Sequence, residues 1–177
     1  MAPRRDSLLW VAILFFLGSD IVFDLHHDLL SICYLSSKYQ SFDYLEKMKK
    51  AIRKDNIVGV FCNFYFMNSE EMEEEFRLKK EDIDVLTLFR ESKTMYDASF
   101  PCPSVYSIEG CDYIKNEEEL EQLYQVGLDA FLLVWNNQNC YGSGVRGDGG
   151  LTEEGERFLK KGISLGMGID LSHANQK

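Results

Sequence analysis

A chain of 177 residues that is 45% apolar has enough material to bury one good-sized core. Its net charge of −10 excludes nucleic-acid binding, which needs a basic footprint. The cysteines (Cys33, Cys62, Cys102, Cys111 and Cys140) are odd in number and lack CxxC spacing, so they read as reduced thiols rather than a disulfide framework or a thiolate zinc site.

At the N-terminus, Arg4-Arg5 precedes an apolar run from Leu8 to Leu17, the order of a signal peptide's basic and hydrophobic regions. The run is shorter than the roughly 20 apolar residues that cross a bilayer. A cut after Gly18 would leave Phe16 where a small residue is wanted. Residues 1–19 are therefore a signal-like or extra apolar segment, and residues 20–177 carry the folded domain. Reduced thiols favour a cytoplasmic setting, whereas the N-terminal segment suits a secreted or membrane-associated protein.

Apolar runs at residues 21–24, 57–64, 104–108, 130–135 and 167–170 read as strands. Between them, residues 42–54 carry helix-spaced Tyr44, Leu45, Met48 and Ile52. Residues 69–92 read as one long helix with Phe76, Ile83, Leu86 and Phe89 among its charges. Asn116-x-x-Glu119 is a capping box opening a helix over 117–126. Thr152 caps a helix over 153–165 whose apolar stripe is Phe158, Leu159 and Ile163. The acidic clusters Glu70 to Glu75 and Glu117 to Glu119 sit at helix starts, where carboxylates favour the dipole.

Alternating strands and helices imply an α/β domain with a parallel sheet and crossover helices. Five βα units fit either an open doubly wound sheet or part of a (β/α)8 barrel. In both, the carboxyl ends of the strands share one face, where sites form. His26 and Asp28 follow the first strand, Glu109 the third and His173 the fifth, so four residues of metal-ligand type converge by topology. In extended backbone residues i and i+2 point the same way, which brings the His26 imidazole and the Asp28 carboxylate together.

On these residues the chain resembles the membrane dipeptidase (renal-type dipeptidase) family of the metal-dependent amidohydrolase superfamily. Asp24-Leu-His-His-Asp-Leu29 looks like the family's first-strand motif, and Ser107-Ile-Glu-Gly110 like its third-strand acidic motif. Leu133-Val-Trp-Asn136, Asp148-Gly-Gly-Leu-Thr152 and the run from Leu165 to His173 follow in the family's order. The resemblance spans Ile21 to Lys177 and implies a partial (β/α)8 TIM-type barrel, about its first five βα units. It implies a zinc-dependent dipeptidase with two Zn2+ ions, hydrolysing dipeptides by a metal-bound hydroxide. His26 and Asp28 would then ligate one ion, Glu109 would be the catalytic carboxylate bridging both, and His173 would ligate the second. Trp135 and Asn136 would lie beside the substrate, and Asp24 would orient a ligand or cap a loop.

The family's second histidine for the second metal, its basic residue for the substrate carboxylate and a further acid lie beyond the fifth strand. The chain stops before them, so the second metal site is expected to be incomplete and the chain alone weakly active or inactive. The same count makes a homo-oligomer, or completion by a missing C-terminal fragment, the expected partnership. A non-catalytic homologue and another amide or ester hydrolase of the superfamily are the alternatives.

His27 points away from His26 and reads as a loop or core histidine. Gly142-Ser-Gly-Val-Arg-Gly147 matches the dinucleotide fingerprint in letters, but six residues separate it from Trp135 and the next helix starts near Thr152. A mobile active-site loop is the better expectation for those glycines.

Overall fold

The computed structural model describes residues 22–28, 30–31, 46–47, 49–50, 57–65, 79–100 and 102–177. The apolar segment 1–19, most of the helix expected over 42–54 and the acidic run from Glu70 lie outside these residues; 46–47 and 49–50 are helical. Among the described residues no helix is long and apolar enough to cross a membrane.

The strands are β1 (Val22–His27), β2 (Ile57–Tyr65), β3 (Ser104–Glu109), β4 (Ala130–Leu132) and β5 (Gly168–Asp170). The longer helices are α1 (Val85–Ser99), α2 (Glu117–Gln125) and α3 (Glu153–Leu165). The sheet runs β1-β2-β3-β4-β5, and every neighbouring pair is parallel. A doubly wound sheet reverses its strand order at a switch point. Sequential order without reversal is the winding of a (β/α)8 barrel, so the five strands form part of one.

Register levels the strand ends. Tyr65 pairs with Glu109, Glu109 with Leu132, and Leu132 with Asp170. That row marks the carboxyl rim of the sheet. Beneath it the middle strands are buried on both faces, over Tyr106–Glu109 of β3 and all of β4, as a parallel sheet requires, while β5 is partly exposed. Phe64 meets Phe89 of α1 edge-on at 6.4 Å, and Phe131 meets Phe158 of α3 at 5.5 Å.

Several element boundaries depart from the sequence reading. β1 continues past residue 24 to His27, so His26 and His27 belong to the strand. A bulge allows this: Asp24 pairs with Val60 and His27 with Cys62, three steps on β1 against two on β2. β4 stops at Leu132 rather than 135. The Leu133 carbonyl accepts from Cys111 N–H and from the Asn139 side-chain amide, and the chain turns away.

Of the long helix expected from 69 to 92, residues 69–78 lie outside the described residues, and the rest is not one continuous helix. Residues Lys80–Asp82 form a 3-10 turn, and α1 begins only at Val85. Asp84 is extended, with φ −92° and ψ 93°, and accepts from the Thr87 backbone N–H at 3.0 Å and hydroxyl at 2.7 Å. An aspartate offering these bonds starts a helix at its own position instead of lying inside one. α1 then runs on to Ser99 and closes on Phe100, just before Pro101.

The other caps act where expected. Asn116 accepts from Glu119 N–H at 2.9 Å, while the Glu119 carboxylate returns to Lys115 N–H rather than to that of Asn116. Thr152 accepts from Gly155 N–H at 3.0 Å. The buried face of α3, however, is Gly155, Phe158 and Gly162, and Ile163 is 63% exposed. Glycines were invisible to an apolar-stripe reading, yet here they make the contact: a Cβ on Gly162 would lie 2.4 Å from the Phe131 ring.

Gly162→Ala therefore tests whether this close approach matters. Alanine improves helix propensity by about 1 kcal/mol, but overpacking costs about 1–3 kcal/mol. A net loss of stability in urea unfolding is expected, and a gain would refute the contact. Thr152→Ala should lose about 1 kcal/mol through the missing cap.

Candidate metal centre

The carboxyl rim gathers the candidate residues. His26 enters from the end of β1, with Asp28 one step past the strand. Glu109 ends β3, and its side chain is only 5% exposed. His173 follows β5 by three residues. His26 Nε2 lies 3.4 Å from Glu109 Oε2 and 3.6 Å from Asp28 Oδ1. His173 Nε2 lies 3.1 Å from the other glutamate oxygen, Oε1. Two imidazoles thus address opposite oxygens of one buried carboxylate.

One ligand atom each from His26, Asp28 and Glu109 lie within 4.8 Å of one another. Asp28 Oδ1 is buried and has no hydrogen-bond partner among the described residues. A buried carboxylate oxygen without a donor calls for a compensating charge, and a bound cation would supply it. Mixed nitrogen and oxygen donors suit zinc or a similar divalent ion, so the residues present fit such a group. Burial raises the Glu109 pKa. The His26 and His173 charges oppose that shift, and the Asp28 and Asp170 charges add to it.

Asp24 does not reach a ligand ring. Its Oδ1 accepts from the His26 backbone N–H at 3.1 Å, and its Oδ2 lies 4.0 Å from His27 Nε2. It holds the bulge that aims His26. The His27 side chain is 13% exposed, and burial lowers its pKa against the pull of Asp24.

Asn136 Oδ1 meets His173 Nδ1 at 3.1 Å. An amide oxygen only accepts, so this contact keeps hydrogen on Nδ1 and turns Nε2 toward Glu109. Trp135 lies 6.1 Å, centroid to centroid, from the His173 ring and 5.2 Å from Tyr65, forming an aromatic wall beside the carboxylates.

The segment after Asn136 is tied down, contrary to the mobile loop expected of its glycines. Arg146 N–H donates to Asn136 O, Val145 N–H to His173 O, and the Asn175 side chain to Gly147 O. A Cβ on Gly144 would sit 1.9 Å from Trp135 O, so close backbone approach is what requires glycine there.

Two residues of the site were missed from sequence. Asn63, in β2, contacts His26 Nδ1 through its side-chain nitrogen at 2.8 Å, and Tyr65 supplies part of the aromatic wall. Asn63 did carry a signal. An amide in the otherwise apolar Ile-Val-Gly-Val-Phe-Cys-Asn-Phe-Tyr strand must find a buried partner.

Comparison with known proteins bears on the fold and the family. A solved amidohydrolase from Pseudomonas aeruginosa superposes with a TM-score of 0.57 at 16% identity, over 89% of this chain and 47% of that one. The likeness is one of fold. An uncharacterized protein in the PQQ-III 3' region of Acinetobacter calcoaceticus is 30% identical over 82 residues, 41% of this chain and 26% of that protein. The chain thus spans under half the length of either. Residues 16–177 match the family described as Membrane dipeptidase (Peptidase family M19). The parallel barrel strands, the four-residue rim cluster and this match together make the chain a member of the membrane dipeptidase family.

Proposed function

We propose that this rim is a zinc-type metal centre serving hydrolysis of dipeptides. The observation that carries the reading is the pair of imidazoles on opposite oxygens of buried Glu109, with Asp28 Oδ1 unbonded beside them. A divalent cation, when bound, supplies Lewis-acid polarisation of a carbonyl and acidifies water. His26, Asp28 and Glu109 would hold one ion. His173 and the second oxygen of Glu109 would hold another, less tightly, because they are the fewer donors among the described residues. Glu109 is the catalytic residue of this reading, since its two oxygens face both positions. Trp135 and Tyr65 shield one side from water and offer a flat apolar surface to a substrate side chain.

Metal analysis of the purified chain after zinc addition should find one tight ion and one weak ion. Asp28→Ala should abolish the tight one, and His27→Ala should leave it in place. No zinc uptake, or uptake indifferent to Asp28, refutes the site.

Hydrolysis of a small dipeptide panel by the zinc-supplemented chain is expected to be slow, because the second position has so few donors among the described residues. Whatever turnover occurs should fall roughly 10²-fold or more in Glu109→Gln, the scale of losing a positioned catalytic group. Turnover indifferent to Glu109 overturns the assignment. Chelator-sensitive cleavage of other amides or esters, without dipeptide turnover, would favour a different hydrolase of the superfamily. Metal uptake with no turnover would favour a non-catalytic homologue.

We further propose self-association. Among the described residues β1 and β5 each have one strand neighbour, and Leu171, just past β5, is 70% exposed. Light scattering should show mass above the monomer that rises with concentration. A sharp, concentration-independent monomer rejects it.

A further inference from the structure

Asp112 carries a charge for which its own surroundings give no use. It follows Glu109 by three residues, inside a turn that Ile114 N–H closes on Cys111 O at 3.0 Å. The turn is firmly held, since Cys111 N–H donates to Leu133 O and Cys111 Sγ to Leu132 O. An aspartate in a turn ordinarily bonds nearby backbone. Here the half-buried carboxylate has no hydrogen bond and no ion pair among the described residues. The nearest basic residue in sequence, Lys115, lies instead 3.9 Å from Glu119. The Asp112 charge is felt next door, where burial first and then Asp112 push the Tyr113 pKa up to about 12. A half-desolvated carboxylate without donors calls for a cation.

Gly110 leaves room for one. Its φ is +84°, and a Cβ there would lie 3.2 Å from Asp112 Oδ2 and 3.7 Å from Trp135 Cβ. The missing side chain leaves a notch with a carboxylate oxygen on one side and the base of the indole on the other. Tyr65 extends the aromatic wall from there. A carboxylate beside an indole suits a cation on an apolar stem, because the oxygen meets the charge and the ring attracts the cation and covers its methylenes. The ammonium of lysine and the guanidinium of arginine have that form.

The position of the notch selects between the cations of a dipeptide. The charges that bear most on Glu109 belong to His26, Asp28, His173 and Asp170, so Asp112 stands outside this inner set. The α-ammonium sits next to the scissile carbonyl, which in the metal reading would lie at Glu109. The head of a lysine or arginine side chain extends well beyond it. Resting on that metal reading, we propose that Asp112 and Trp135 are specificity-determining residues that seat a basic side chain. The preferred substrates are then dipeptides containing lysine or arginine. Asp112 contributes the charge, Trp135 the surface and Gly110 the space.

The test uses the full chain carrying Trp10→Phe, which leaves Trp135 as its only tryptophan. Fluorescence of that indole reports ligands at the notch. At equal concentration n-butylammonium should change the emission with or without zinc, and uncharged n-butanol should not. In the zinc-loaded chain, Lys-Gly and Gly-Lys are compared with their norleucine counterparts, which keep both termini and lack only the side-chain ammonium. At least one lysine dipeptide should bind about 3- to 10-fold more tightly than its counterpart, the scale of one charge-assisted contact at a half-exposed site. Asp112→Asn should bring that ratio near one, Asp112→Glu should keep most of it, and Asp112→Lys should turn the preference toward Glu-Gly or Gly-Glu. Losing a merely structural aspartate would not reverse a charge preference, and the wild-type comparison stands even if a variant fails to fold. The proposal is overturned if norleucine dipeptides bind as well as lysine ones, or if Asp112→Asn keeps the lysine preference. Zinc uptake is measured in the same samples. Its absence brings down the metal reading and the substrate role with it, while the n-butylammonium response, kept or lost in Asp112→Asn, still decides whether a cation is seated there.

Discussion

Glu109 sets the terms for the rest of the rim. A carboxylate at 5% exposure has lost most of its water, and burial pushes its pKa upward. An ionised carboxylate in such a place must be compensated by neighbouring donors or cations. The fold answers with one imidazole on each oxygen, drawn from strands at opposite ends of the sheet. Neither histidine is near Glu109 in sequence. The carboxylate can be buried only because strand order brings both to it.

That order depends on the barrel winding. Each crossover returns the chain to the next strand in parallel, so all five carboxyl ends share a rim. Register then levels Tyr65, Glu109, Leu132 and Asp170 in one row. On β1 the strand itself must adapt, and the bulge after Asp24 shifts its alternation by one residue. Asp24 stabilises this local departure by accepting the His26 backbone N–H. His26 is thereby turned toward Glu109 while the more buried His27 packs elsewhere, although the two are adjacent in the chain.

The supporting groups are polar but uncharged. Asn136 contacts the outer nitrogen of His173 and Asn63 lies against both ring nitrogens of His26, and each comes from a neighbouring part of the sheet. Behind them, glycine permits backbone contacts that any side chain would block. Gly144 rests against Trp135 O, and the bonds from Arg146 and Val145 then lock the loop to Asn136 and His173. Rigid outer contacts of this kind keep a site's geometry when its charges would otherwise repel or drift.

How much of this was legible depended on distance along the chain. Alternating apolar runs and cap residues determined the five parallel strands and the starts of α2 and α3, because local backbone bonding decides such features. Asp28, Glu109 and His173 were recognisable from residue type at strand ends, and family resemblance ordered them. Asn63 escaped notice because its importance comes from His26, 37 residues away in sequence. The break at Asp84 and the reach of β1 to His27 were likewise settled by competition: a side chain capping the backbone, and a bulge matched to the neighbouring strand. The buried glycine face of α3 had no apolar signature at all, since its contribution is the absence of a side chain against Phe131. Residue types and their order were the sequence's own. Which oxygen met which nitrogen was decided by register, bulge and close packing, because those arise only when distant segments share a volume.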